Sequence, residues 1–137
     1  MNSEQTFSKK VKFSAGTTII KEGDEGGPFY ILLKGKCEVL KRDFPMTTLG
    51  KNGIIFGEMS MLLDIPRRAT VKAHSDVETI EVDISLDDMF EHYPKTAKSM
   101  MRTLAKRVVH QTDVLYGYIV EEELVEYDSL DKEEEVI

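Results

Sequence analysis

The run Ile54-Ile55-Phe56-Gly57-Glu58-Met59-Ser60-Met61-Leu62-Leu63-Asp64-Ile65-Pro66-Arg67-Arg68-Ala69-Thr70-Val71-Lys72-Ala73 decides how the rest of the chain is read. Phe56-Gly57-Glu58 ends a short apolar strand, and Met59 to Leu63 is a one-turn apolar run. Pro66 to Thr70 then leads into a second strand. A strand, a glycine turn and a short helix point backbone N–H groups at one place, where the helix dipole favours an anion. An arginine a few residues later can return to that place and form a forked, charge-assisted pair with a phosphate. Glu58 is the odd member, because a phosphate would repel it. It fits if it accepts a hydrogen bond from a sugar hydroxyl on the far side. One glycine, one acid and one arginine around a short helix therefore describe a site for a ribose phosphate with a single negative charge.

Outward from this run, the chain reads as short strands between turns. Val11 to Phe13 begins a strand and Ser14-Ala15-Gly16 turns it, while Thr17 to Lys21 is β-branched. Glu22 to Pro28 is a dense turn signal ahead of the apolar strand Phe29 to Leu33. Cys37 to Lys41 is a further strand, Asp43-Phe44-Pro45 is the next expected turn, and Met46 to Leu49 is a short strand. Ala69 to Ala73 and Val77 to Asp83 read as closing strands. Short strands at regular spacing with glycine-rich turns indicate an antiparallel barrel or jelly roll.

The chain then turns helical. Ser85-Leu86-Asp87-Asp88 is a capping box, so a helix starts there and stops at Tyr93, ahead of Pro94. Pro94 suits the first turn of a second helix. In it, apolar residues recur at Ala97, Met100, Met101, Leu104, Ala105, Val108, Val109, Leu115, Tyr116 and Ile119, the spacing of an amphipathic helix. Gly117 is its weak point. The Met- and Val-rich face is long enough either to pair with a second copy or to pack on its own roll. The expected fold class is thus α+β, mainly β: an antiparallel β-roll, jelly-roll-like, with one short phosphate-binding helix and two C-terminal helices.

A chain of 137 residues reads as one domain, here residues 1–120, with 121–137 as an acidic tail. The net charge of −7 is unevenly placed. Glu121 to Val136 holds nine acids against Lys132, a charge of −8, so the rest of the chain carries +1. The tail is expected to be a frayed helix or disordered, and Met1 to Lys10 loose or weakly helical, anchored by Phe7. A near-neutral body offers no broad basic surface, so DNA is not an expected partner. No apolar run approaches a membrane span, and no signal-peptide core is visible at the N-terminus. The single cysteine, Cys37, excludes an internal disulfide framework and fits the cytoplasm as a buried, inert thiol.

The F-G-E at Phe56-Gly57-Glu58, followed by P-R-x-A-T-V from Pro66 to Val71, resembles the phosphate-binding cassette of cyclic nucleotide-binding domains. That family includes regulatory subunits of cAMP-dependent protein kinase, cyclic nucleotide-gated channels and catabolite activator proteins. The resemblance runs from about Lys12 to about Tyr118. Gly23-Asp24, Tyr30-Ile31, Gly35 and Gly53 also match the family's pattern. Asn52-Gly53-Ile54 departs from it where Pro and Asp are usual. The resemblance implies a β-roll of about eight strands and a ligand site built from Phe56, Gly57, Glu58, Met59, Ser60, Arg67, Arg68 and Ala69.

In that site Arg67 would pair with the cyclic phosphate and Glu58 would accept the ribose 2′-OH. Gly57 would permit the backbone entry, and Met59 and Ser60 would donate N–H groups. Ala69 would leave room near the ring. Family members that prefer cGMP often carry Thr directly after the phosphate arginine, and Arg68 stands there instead. cAMP is therefore the expected ligand and cGMP the second choice. Arg68 is either a surface residue or a second phosphate contact. Arg107, Gln111, Thr112, Leu115 and Tyr116 on the last helix are candidates to cap the purine, with Gln111, Thr112 and Tyr116 preferred. Core packing is the equal alternative for Leu115 and Tyr116.

The expected function is a non-catalytic cyclic nucleotide sensor that signals to a partner protein by moving its C-terminal helix. No cofactor or metal is expected, and a homodimer through that helix is allowed. The alternative is an interaction module of the same fold that no longer binds a nucleotide. A cupin-type metal enzyme needs two histidines on one strand and a third ligand, whereas His74, His92 and His110 are scattered.

Overall fold

The computed structural model describes residues 7–122. Eight strands and three helices follow one another: β1 (Ser8–Phe13), β2 (Thr18–Ile20), β3 (Phe29–Lys34), β4 (Cys37–Lys41), β5 (Phe44–Leu49), β6 (Ile55–Phe56), α1 (Glu58–Leu63), β7 (Thr70–Ala73), β8 (Val77–Val82), α2 (Leu86–His92) and α3 (Pro94–Glu122). The strands form two four-stranded antiparallel sheets, in the orders β1-β8-β3-β6 and β2-β7-β4-β5. This is the expected roll, made of two sheets and not of one closed barrel.

The core lies between the sheets. Ile20, Tyr30, Leu32, Cys37, Phe56, Val71, Ala73 and Val77 form one buried cluster drawn from strands of both. Alternation along β7, where Val71 and Ala73 are buried and Lys72 is exposed, is the period-two pattern of a strand with one face on a core. Tyr30 ties three strands together. Its ring stacks on Phe56 of β6 at 5.4 Å and meets Phe13 of β1 edge-on at 6.0 Å. Cys37 is fully buried, and burial pushes its thiol above the ordinary range, as expected of an inert cysteine.

Two local expectations are corrected. The turn between β4 and β5 is Arg42-Asp43, not Asp43-Phe44-Pro45. Both turn residues are left-handed, at φ 51° and 67°, and Lys41 pairs directly with Phe44. A two-residue hairpin of this hand matches the strand twist. Pro45 is accommodated inside β5 because β5 is an edge strand, where a missing N–H costs little. At the other end, Ser8 to Lys10 is not loose or helical but the start of β1, in register from Ser8 opposite Val82. Its lysines are exposed on an edge strand, so their polarity hid the strand. Phe7 anchors it as expected, accepting from Asp83 N at 2.8 Å and packing on His92. Met1 to Thr6 and most of the expected acidic tail lie outside the described residues.

The serine half of the capping box forms: Asp88 N donates to Ser85 Oγ at 3.1 Å at the start of α2. The chain divides into two units, Met1–His92 and Tyr93–Ile137. The first holds both sheets with α1 and α2. In the second, α3 runs through Gly117 without a break, and Met101, Val108, Val109, Leu115, Tyr116 and Tyr118 on it are exposed. No helix among the described residues is long and apolar enough to cross a membrane.

Candidate functional site

The site grows from the end of β6. Phe56 is buried opposite Tyr30, and the chain must then turn sharply to leave the sheet. Gly57 makes that turn at φ 84°. A Cβ there would stand 2.7 Å from Ile20 Cδ1 and 3.1 Å from Arg67 Nη1, so only glycine fits. α1 follows for six residues and is closed by Asp64 in the left-handed region, with Ile65 N returning to Ser60 O. Pro66 then carries the backbone to Arg67.

Arg67 is locked at both its backbone and its side chain. Its N–H donates to Asp24 O at 2.8 Å, and its carbonyl accepts from Gly23 N at 2.9 Å. Its guanidinium returns across the cassette. Nη1 donates to Gly57 O at 2.8 Å and to Ser60 Oγ at 2.9 Å, and Nη2 donates to Pro28 O. The side chain is buried, with 7% exposure, beside buried Glu58 and Ser60. Among the described residues no ion pair includes Arg67. Burial pulls its pKa down from the ordinary value, opposed by the nearby Tyr30 and Asp24. An arginine cannot escape by losing its proton. The result is a buried cation whose hydrogen-bond partners are neutral oxygens, with no carboxylate paired to it among the described residues.

Gly57, Ser60 and Arg67 are joined by hydrogen bonds, and Glu58 is buried on the same short helix. Phe56 sits in the core, Met59 is exposed and Ala69 is half-buried. Arg68 is exposed, and its carbonyl is held by Lys41 Nζ at 2.7 Å, itself ion-paired to Glu22. Gln111, Thr112 and Tyr116 stand exposed on α3, in the second unit. His74 follows β7, His92 ends α2 and His110 lies on α3. Among the described residues His92 shares a cluster only with Asp88 and Glu91, which does not assemble the cupin-type ligand set.

Sequence reasoning missed Gly27 and Pro28. The segment Glu22 to Pro28 reads as a turn, but it is also the wall against which Arg67 rests. Gly27 has φ 103°, and a Cβ on it would meet Arg67 Nη2 at 2.5 Å. The signal was present: Gly26-Gly27-Pro28 holds more glycine than one turn needs.

The model of the cyclic nucleotide-binding domain matches residues 10–93, more than half of the chain and nearly the whole of the first unit. The chain belongs to the cyclic nucleotide-binding domain family. Among curated relatives, a cAMP-dependent protein kinase regulatory subunit of Aspergillus fumigatus is 43% identical over 70 residues, covering 50% of this chain and 17% of that protein. The corresponding subunit of Aspergillus niger is 39% identical over 74 residues, 53% of this chain and 18% of the relative. This domain thus spans under a fifth of the length of those relatives. Among solved structures, PKAR CBD2 bound to Sp-2Cl-cAMPS aligns with a TM-score of 0.54 at 30% identity, over 84% of this chain and 70% of that one. The Thermus thermophilus catabolite activator protein shares the fold, with a TM-score of 0.70 at 24% identity over 82% of this chain and 55% of that one. As a member of this regulatory family, the domain has a cyclic nucleotide as its ligand class.

Proposed function

We propose that this cyclic nucleotide-binding domain is a non-catalytic cAMP sensor of the cytoplasm, with cGMP as the weaker ligand. The observation that carries the proposal is the buried Arg67 guanidinium, fixed beside Gly57 and Ser60 by neutral partners and paired with no carboxylate among the described residues. A cyclic phosphodiester supplies one negative charge to one guanidinium. Glu58 takes the ribose 2′-OH, and Met59 and Ser60 offer backbone N–H groups. Ala69 leaves room near the ring, buried Phe56 anchors the turn, and Arg68 follows where cGMP-preferring relatives often have Thr. Gln111, Thr112 and Tyr116 supply the contact to the purine. The cAMP chemistry is that of the kinase regulatory subunits to which the chain is similar.

The output is a change in the pose of α3, because a ligand that contacts one pose better than another shifts the population towards it. A partner protein, or a second copy, would read the exposed apolar residues of α3. Residues 1–120 act as the sensing domain and 121–137 as its tail.

The test is a calorimetric titration of the protein, freed of bound nucleotide, with cAMP, cGMP and 2′-deoxy-cAMP. Binding in the order cAMP, cGMP, then the deoxy analogue supports the sensor and the role of Glu58. No heat with any of them overturns it. That result would favour the ligand-free interaction module, in which Gly57 O, Ser60 Oγ and Pro28 O are the permanent partners of Arg67.

A further inference from the structure

Ser60 carries a hydroxyl that the roles above leave unused. It is 4% exposed and lies on the third residue of α1. Its oxygen accepts from Arg67 Nη1 at 2.9 Å, which fixes it beside the guanidinium. Its own proton is poorly employed. The acceptor in reach is Gly57 O at 3.5 Å, and that carbonyl already takes a 2.8 Å bond from Arg67 Nη1. A serine hydroxyl has one proton to donate and two lone pairs to accept with, so accepting from Arg67 leaves the proton free to serve another group. A buried donor without a good acceptor is costly, and natural interiors rarely keep one without a use.

We propose that the Ser60 hydroxyl is a direct side-chain ligand of the phosphate, donating its proton to one exocyclic oxygen while it continues to accept from Arg67. This rests on the reading of the site as a cyclic nucleotide site and adds a contact distinct from the Ser60 backbone N–H. The guanidinium brings the negative charge to the cassette, and the hydroxyl then distinguishes the two exocyclic oxygens, because it reaches one of them. Ser60 is therefore a stereospecific reader of the phosphate, where an alanine would see only charge.

The experiment compares cAMP with its two phosphorothioate diastereomers on the wild type, Ser60→Ala and Ser60→Cys, by calorimetric titration. Sulfur is a poor hydrogen-bond acceptor, so each diastereomer removes one oxygen in turn. Ser60→Ala is expected to weaken cAMP about tenfold, the size of one hydrogen bond to a charged group. It should weaken one diastereomer by the same factor and the other by no more than about twofold. Ser60→Cys keeps the side-chain shape with a slightly larger atom, donates weakly and should repeat the pattern. The ratio between diastereomers does not depend on how much of a variant is folded, so a destabilised protein still reports it. Equal penalties on all three ligands would mean that the hydroxyl acts only by orienting Arg67, and would overturn the proposal while leaving the nucleotide site intact. An unchanged affinity for cAMP would overturn it as well. A wild type that binds none of the three would overturn both the contact and the site.

Discussion

Replacing Arg67 by lysine keeps the charge and removes the fork, which makes it the sharpest probe of the cassette. A guanidinium has five N–H donors. Arg67 uses three of them on Gly57 O, Ser60 Oγ and Pro28 O, which leaves two for an incoming phosphate. An ammonium has three donors. It can satisfy the three protein oxygens or turn to the phosphate, but it cannot do both. At least one hydrogen bond to a charged group is lost, about 1.5–3 kcal/mol. Arg67→Lys should therefore raise the Kd for cAMP by about 10- to 150-fold. Arg67→Ala loses both remaining donors and the charge, and should raise it by at least about a hundredfold. Calorimetric titration reads both values, and thermal melting of the unliganded variants confirms that they fold. Melting gives a second reading: cAMP at a hundred times its Kd should add about 2.7 kcal/mol to the wild type and little to Arg67→Ala at the same concentration. A folded Arg67→Ala protein that binds cAMP within about threefold of wild type would refute the assignment.

Gly27→Ala should weaken cAMP about tenfold, because its Cβ would meet Arg67 Nη2 at 2.5 Å and push the guanidinium off Pro28 O. Gly53→Ala carries similar backbone strain, at φ 95° with nothing within 4 Å, and should cost stability without changing the Kd. Among the described residues Arg67 is the one buried cation, so 5′-AMP, whose phosphate approaches two charges at neutral pH, should compete with cAMP at least about tenfold less well in a displacement assay. Burial raises the pKa of both Tyr30 and Cys37, so the fold favours their neutral forms. Their contribution is fully present below the unfolded values of about 8.5 for the thiol and about 10 for the phenol, and is lost as pH rises past them. The urea midpoint should hold from pH 7 to 8 and fall by pH 10.5, and Tyr30→Phe should reduce that fall.

The strands were legible where they alternate or branch, as in Phe29 to Leu33 and Thr70 to Ala73, and where glycine marks the turn. The start of α2 was legible to the residue, because Ser85 and Asp88 form a capping contact four residues long that needs no tertiary partner. Long-range constraints hid the rest. Lys9 and Lys10 look like loop, but an edge strand beside β8 tolerates exposed lysines. Pro45 looks like a turn, but the hairpin closes one residue pair earlier and the edge of the sheet accepts the proline. In the site, the motif from Phe56 to Ala69 named the cassette, yet it could not name Gly23, Asp24, Gly27 and Pro28. Those residues matter only because Arg67, some forty positions later in sequence, rests on them.

That support is what would let a short helix present the proposed anion site. α1 has only six residues, too few for its dipole to hold an anion without help. The charge comes from Arg67, and the fold supplies the rigidity. Two backbone bonds to the Gly23-Asp24 turn fix where the arginine starts, and three side-chain bonds fix where it ends. Little side-chain freedom is left to lose when the ligand arrives, which is the usual advantage of a preorganised site. The energy would come from the incoming anion. Opposite unit charges about 4 Å apart attract by about 4 kcal/mol at an effective dielectric of 20, and the carbonyl partners of Arg67 carry no such charge. The same reasoning places Glu58. A carboxylate on the phosphate side would cancel the attraction that Arg67 provides, which is why the proposed reading puts it with the sugar. On the proposed reading, one cassette would read two properties of its ligand, a single charge through Arg67 and a hydroxyl through Glu58.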